Sequence, residues 1–60
     1  MKYEYYVFYM EHTVRMFFSE RQALAHMNEM ADVGFDVEVY AKEIETGKLF
    51  LIAKRSGNHE

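Results

Sequence analysis

The spacing of apolar and polar positions divides the chain into two strand-rich arms around one helical segment. From Ser19 to Gly34 apolar residues recur at intervals of three and four, which is the pattern of an amphipathic helix. Ser19 and Gln22 have the spacing of a capping box, and Gly34 can adopt the left-handed conformation that ends a helix. The buried stripe is predicted to consist of Ala23, Leu24, Met27, Met30 and Ala31.

The first arm predicts a β-hairpin. Segments 2–10 and 13–18 are rich in tyrosine, phenylalanine and valine, which favour strands. The short separation by Glu11 and His12 predicts a two-residue loop, although this pair is not the Asn-Gly or Asp-Gly that such loops prefer. In that register one face pairs Tyr9 with Val14, Val7 with Met16 and Tyr5 with Phe18; the other pairs Tyr6 with Phe17, Phe8 with Arg15 and Met10 with Thr13.

The second arm predicts another hairpin. Residues 35–41 alternate between apolar and polar, as in a half-buried strand. Gly47 suits the left-handed position of a three-residue loop with a bulge. If Ile44 pairs with Lys48, then Val39 lies opposite Ala53 and Ala41 opposite Leu51. This register places Leu49, Leu51 and Ala53 toward the helix and Phe50 and Ile52 on the opposite face.

The predicted order is strand, strand, helix, strand, strand. We expect an α+β fold of ββαββ type, with one helix packed on one face of a mainly antiparallel four-stranded sheet. Residues 1–55 form a single domain in this interpretation, and residues 56–60 a flexible C-terminal tail because they include no large apolar side chain. The pattern leaves the order of the strands across the sheet open.

Composition makes self-association a leading hypothesis. A chain of 60 residues without cysteine buries only about 60% of its extended surface and has no disulfide to compensate. The net charge of −3 argues against a sequence-independent nucleic-acid binder. No apolar run approaches the roughly 20 residues of a membrane span, so we expect a cytoplasmic protein without membrane contact.

The surface predicted to bind a partner is the sheet face turned away from the helix. Antiparallel sheets normally present polar residues to water, whereas this face is predicted to present large apolar ones. A sheet-to-sheet homodimer is the favoured explanation; binding to another protein and stacking on single-stranded nucleic acid are alternatives, as is a different register. The predicted interface residues are Tyr6, Phe8, Phe17, Tyr40, Phe50 and Ile52.

Residue types that carry catalysis or bind metals form no recognisable motif. His26 and Glu29 lie one helical turn apart, but two ligands do not make a metal site. Ser19 is explained as a helix cap and Thr46 as a turn residue, rather than as nucleophiles. We therefore expect no enzymatic activity, no catalytic residues, no cofactor and no metal site.

The sequence is thus interpreted as a small non-catalytic protein-interaction or regulatory module that forms homodimers. The alternative is single-stranded nucleic-acid binding on the same face through Tyr6, Phe8, Phe17, Tyr40 and Phe50. In general terms the chain is similar to short acidic α+β proteins that act as bacterial or phage regulators. Four carboxylates could present a negative edge to a basic partner: Asp36, Glu38, Glu43 and Glu45.

Overall fold

The computed structural model describes residues 2–10 and 12–57 as one helix packed on a four-stranded sheet. The elements are β1 (Tyr3–Tyr9), β2 (Thr13–Phe17), α1 (Glu20–Val33), β3 (Val37–Glu43) and β4 (Leu49–Arg55). All three strand pairs are antiparallel, and the strand order is β2-β1-β3-β4. The predicted ββαββ architecture is confirmed, and the structure adds the strand order.

Helix α1 begins and ends where the sequence predicts. The hydroxyl of Ser19 accepts a hydrogen bond from the backbone N–H of Gln22 at 3.4 Å. Gly34 ends the helix with a φ of 117°, and its N–H donates to the carbonyl of Ala31. A left-handed residue at this position is cheapest as glycine. Ala23, Met27 and Ala31 are buried, so the predicted stripe is the face that meets the sheet.

The predicted register of the first hairpin is wrong by one residue. Tyr9 pairs with Thr13, so three residues rather than two separate the strands. Glu11 lies outside the described residues, but Met10 has a φ of 62° and begins the turn in the left-handed region. Because side chains alternate between faces, a slip of one residue moves every side chain of β2 to the other face.

The second hairpin differs from the prediction only at the end near its loop. The loop has four residues rather than three, since the N–H of Glu43 donates to the carbonyl of Lys48. A bulge between Val39 and Tyr40 restores the predicted pairing of Val39 with Ala53. On the loop side of the bulge Ala41 pairs with Phe50 instead of Leu51, which places Leu49 and Leu51 on the face away from the helix.

The core between α1 and the sheet is made of small side chains. Val7, Val37 and Val39 are the largest side chains that are fully buried. The tyrosines and phenylalanines that pack against this core are only partly buried. Methionines and alanines of α1 complete the layer. Such a core provides little apolar burial, which is the principal source of stability for a chain of this size.

His26 lies where α1 meets the first hairpin. Its ring packs 5.2 Å from that of Tyr9 and 5.3 Å from that of Phe17, measured between centroids. Its Nε2 atom is buried and has no hydrogen-bond partner among the described residues. His26 therefore serves as part of the aromatic packing between α1 and the first hairpin.

The C-terminal end of the described chain packs against the turn between α1 and β3. The N–H of Gly57 donates to Oδ1 of Asp36 at 2.8 Å. A Cβ atom at position 57 would lie only 2.3 Å from the carbonyl oxygen of Gly34, so this approach requires glycine. Residues 58–60 lie outside the described part, and the flexibility of segment 56–60 remains a prediction.

We predict that Met10→Gly stabilises the protein by about 0.5–1 kcal/mol, because glycine adopts a positive φ without the cost that a side chain brings. The Met10 side chain is 59% exposed, so its removal sacrifices little packing. Urea unfolding at one fixed protein concentration measures the change. Met10→Ala is the control, since alanine keeps the strain. Equal stabilisation by both variants would contradict the assignment of strain to Met10.

Candidate interaction surface

The sheet face opposite α1 has no covering layer within the described chain. We call this surface the open face. Strand pairing arranges its side chains in three rows that run across the strands. The central row is Met16, Tyr6, Tyr40 and Leu51; one outer row is Val14, Phe8, Glu38 and Lys54; the other is Glu4, Lys42 and Leu49.

Large apolar side chains on the open face are exposed. Phe8 is 38% exposed, Leu49 55% and Leu51 52%, and Val14 and Met16 are exposed to a similar degree. The rings of Phe8 and Tyr40 pack edge to face with centroids 5.3 Å apart. Alternation in an antiparallel sheet normally places polar residues at such positions. This departure from the usual pattern is what makes the open face a candidate binding surface.

The structure places three of the six predicted interface residues on the open face. Tyr6, Phe8 and Tyr40 lie there, as the sequence predicts. Phe17 pairs with Tyr5 and packs against the core on the helix side. Phe50 pairs with Ala41 on the helix side as well, and Ile52 is the extra residue of the bulge. Both changes of face follow from loops that are one residue longer than predicted.

Four open-face residues were missed for the same reason. Val14, Met16, Leu49 and Leu51 were assigned to the core, and the corrected registers place them on the outside. The signal that could have found them is the turn chemistry. Glu11-His12 lacks the glycine or asparagine that a two-residue hairpin loop prefers, which itself argues for a longer loop.

Charged groups on the open face are interleaved with the aromatic rings. The hydroxyl of Tyr6 donates to Glu4 at 3.0 Å, and that of Tyr40 donates to Glu38 at 3.1 Å. These hydrogen bonds, assisted by burial and by the negative charge of the carboxylates, raise the pKa of both tyrosines. The face therefore holds two tyrosine–carboxylate pairs and two lysines.

Neither lysine forms an ion pair with a carboxylate among the described residues. Among the described residues the only ion pair joins Arg55 to Asp32, on the helix side of the sheet. Lys42 is half-buried and, together with Tyr6, Phe8 and Leu49, borders a shallow depression of about 340 Å³. A cation so placed among apolar groups is a candidate for pairing with an incoming anion.

A second apolar area lies on the helix side, beyond the start of α1. We call it the corner surface, and it includes Tyr3, Tyr5, Phe18, Ile44, Phe50 and Ile52. Phe18 is 76% exposed there. The helix crosses the sheet without covering this corner. Phe50 and Ile52 belong to this area, so they are separated from the open face by the thickness of the sheet.

The four carboxylates expected to form a negative edge are dispersed in the structure. Asp36 precedes β3 and accepts the hydrogen bond from Gly57, while Glu38 belongs to the open face. Glu43 and Glu45 lie at the far end of β3 and in the following loop. They do not make one continuous acidic surface.

The described residues contain no group of three or more histidine, aspartate or glutamate side chains that could hold a metal ion. Thr46 accepts a hydrogen bond from the N–H of Lys48, in keeping with its predicted role in the turn. Within the described part of the chain, α1 is too short and too polar to span a bilayer.

Comparison of the chain with protein-family models, with curated proteins and with solved structures found no match.

We predict that Tyr40 titrates above its ordinary pKa of 10.0 and that Glu38→Gln lowers this pKa toward the ordinary value, because the variant removes the anion that opposes tyrosinate formation. NMR of ring-labelled tyrosine resolves each residue. The exposed loop variant Glu45→Gln is the control and should leave the pKa of Tyr40 unchanged.

The same shift sets the sign of the pH effect on stability. A pKa raised in the folded state means that the stabilisation is fully present below pH 10 and is lost as the pH rises through the folded pKa. A Tyr40 pKa at or below 10 in the wild-type protein would contradict the assigned hydrogen bond.

Proposed function

We propose that this chain is a small, non-catalytic interaction module that forms a symmetric homodimer through its open face. The observation that carries the proposal is a continuous row of uncharged, apolar and aromatic side chains across all four strands, which is exposed at its two ends and half-buried between them: Met16, Tyr6, Tyr40 and Leu51. A second sheet packed on this row would bury the open face, whereas the helix of the same chain can bury only the opposite face.

The size of the open face suits a small interface between two copies. Four strands about 4.8 Å apart, each contributing two or three outward residues, give a face about 19 Å wide and about 20 Å long. Its accessible area exceeds this projection, because the side chains stand out from the pleat. The projection is about half of the roughly 800 Å² that each partner buries in an interface of the standard class.

The charges on the sheet edges support face-to-face rather than edge-to-edge association. Strand β2 carries Arg15 at its centre, so antiparallel pairing of two β2 strands about that residue opposes two cations. Strand β4 carries Lys54 and Arg55 and no carboxylate, so a second β4 strand added along this edge offers no anion to pair with these cations. Cationic edges are a common means of preventing strand addition.

Single-stranded nucleic-acid binding is the second candidate. Tyr6, Phe8 and Tyr40 lie on one face with Lys42 and Lys54, as a stacking platform requires. Two of the five aromatic residues that the sequence assigns to this platform, Phe17 and Phe50, lie on the helix side, which weakens this candidate. In addition, Glu4 and Glu38 stand between the rings and repel phosphate.

A regulatory role and a cytoplasmic location complete the proposal. The lack of cysteine fits a reducing compartment. If the open face is occupied by a second copy, then a further protein would bind elsewhere, and the corner surface is the apolar area left for it.

The proposal predicts that Leu51→Ser weakens the dimer by about 2–4 kcal/mol, since two buried leucines are truncated in each dimer. Phe50→Ser is a matched control, because Phe50 is the adjacent residue, is exposed to a similar extent and points to the helix side. Light scattering on a sizing column across a dilution series measures the mass of each variant.

The wild-type protein should elute at twice the chain mass of 7.2 kDa. A monomeric wild type would overturn the proposal. If that monomer binds single-stranded oligonucleotides and Phe8→Ser weakens binding by about 1–3 kcal/mol, the stacking alternative is correct.

A further inference from the structure

The charges on the open face are arranged in opposite pairs across neighbouring strands. Glu4 lies opposite Lys42 across β1 and β3, in one outer row. Glu38 lies opposite Lys54 across β3 and β4, in the other outer row. The central row between them is uncharged. The face therefore has a charge pattern that can be compared with its own image under a two-fold rotation.

We infer that Lys42 is the charged residue on which the pairing of two copies depends, because it meets a carboxylate of the second copy in either aligned symmetric arrangement of the two sheets. This inference rests on the proposed homodimer and adds the ionic contact that it requires.

Aligned packing of two open faces about a common centre allows two symmetric arrangements. In this class of sheet packing the strands of the two sheets lie within about 30° of each other, whereas in the orthogonal class they cross at about 90°. A two-fold axis between two such faces lies in the interface, either along the strands or across them. Other directions would cross the strands at large angles.

If the two-fold axis runs along the strands, between β1 and β3, each row of one copy lies over the same row of the second copy. Strand β1 then lies over β3 of the second copy. Lys42 then lies opposite Glu4 of the second copy. The central row brings Tyr6 to Tyr40 and Met16 to Leu51, so apolar groups meet apolar groups.

If the two-fold axis runs across the strands, through the central row, each strand lies over the same strand of the second copy. Each outer row then lies over the other outer row of the second copy. Lys42 then lies opposite Glu38 of the second copy. Tyr6 and Tyr40 each meet their own counterparts. In both arrangements two lysine–carboxylate pairs form in each dimer.

Under the same two rotations, Lys54 meets no carboxylate of the second copy. It lies opposite Val14 when the axis runs along the strands and opposite Leu49 when the axis runs across them. Lys54 is also on the edge strand β4 and is exposed, whereas Lys42 is on the inner strand β3 and half-buried. The two lysines share one face but have different predicted partners.

The loss of water from Lys42 when the dimer forms is the reason that its charge affects the affinity of the dimer. Like charges brought together in an interface are strongly unfavourable, whereas charges at the rim remain hydrated and contribute little. Lys42 lies beside the central row, with Tyr6, Phe8 and Leu49 around it. Its ammonium group loses water when the faces meet. No ion pair joins it to Glu4 of its own chain, the cross-strand neighbour, among the described residues, so a carboxylate of the second copy is needed in exchange.

The experiment compares Lys42→Glu with Lys54→Glu, which make the same charge change on the same face. We expect the dimer dissociation constant to rise more than about a hundredfold for Lys42→Glu and less than about fivefold for Lys54→Glu. Sedimentation equilibrium measures both constants, and circular dichroism checks that each variant is folded.

Double variants identify the contacting carboxylate. Glu4→Lys combined with Lys42→Glu should restore the dimer if the axis runs along the strands. Glu38→Lys combined with Lys42→Glu should restore it if the axis runs across them. Restoration by one pair and not the other supports the inference and gives the direction of the axis.

Lys42→Met covers the case in which Lys42→Glu fails to fold. Methionine keeps the apolar stem, removes the charge and leaves a carboxylate unpaired, so a dissociation constant raised about tenfold or more is expected. An unchanged constant would overturn the inference.

The inference can fail while the proposed function stands. If the wild type is a dimer but Lys42→Glu and Lys54→Glu weaken it equally, or if neither double variant restores it, Lys42 is not the determining contact. A wild-type monomer would instead overturn the proposed homodimer itself.

Discussion

The constraint on which this structure depends is that one helix can cover only one face of a four-stranded sheet. The covered face contains a core whose largest fully buried side chains are three valines. The chain has half its residues hydrophobic, so much of its apolar content must lie elsewhere. It lies on the open face and at the corner surface. The balance between a small core and a large apolar exterior is the reason to regard the chain as one part of an assembly.

The open face and the corner surface differ in their polar groups. The open face combines a central apolar row with carboxylates and lysines in fixed positions, and its tyrosines are held by hydrogen bonds to Glu4 and Glu38. A face with such ordered polar groups can specify one orientation of a partner. The corner surface contains Phe18 from the connection between β2 and α1 and Ile44 from the loop between β3 and β4. Its position next to the start of α1 leaves it accessible in a dimer formed through the open face.

Sequence periodicity was sufficient for the architecture and for the helix. The spacing from Ala23 to Ala31, with Ser19 and Gly34 as caps, depends on local interactions that a sequence displays directly. The face of the sheet on which each strand side chain lies depends on the lengths of the hairpin loops, which the sequence does not display directly. Each hairpin loop is one residue longer than predicted, and since side chains alternate, this moved Phe17 and Phe50 to the helix side.

The bulge shows why part of the second hairpin was predicted correctly. Val39 and Ala53 pair as expected because the extra residue, Ile52, compensates for the longer loop. No local signal marks this bulge, since isoleucine is an ordinary strand residue. The pair of Glu4 with Lys42 was also beyond the sequence, because it requires the order β2-β1-β3-β4, which places β1 beside β3.

The most direct test of the account is an isotope-filtered NOE experiment on a mixture of labelled and unlabelled protein, which detects only contacts between copies. The account predicts intermolecular NOEs from the methyl groups of Met16 and Leu51 on the open face. Intermolecular NOEs confined to Ile44 and Ile52 of the corner surface, or none at all, would contradict it.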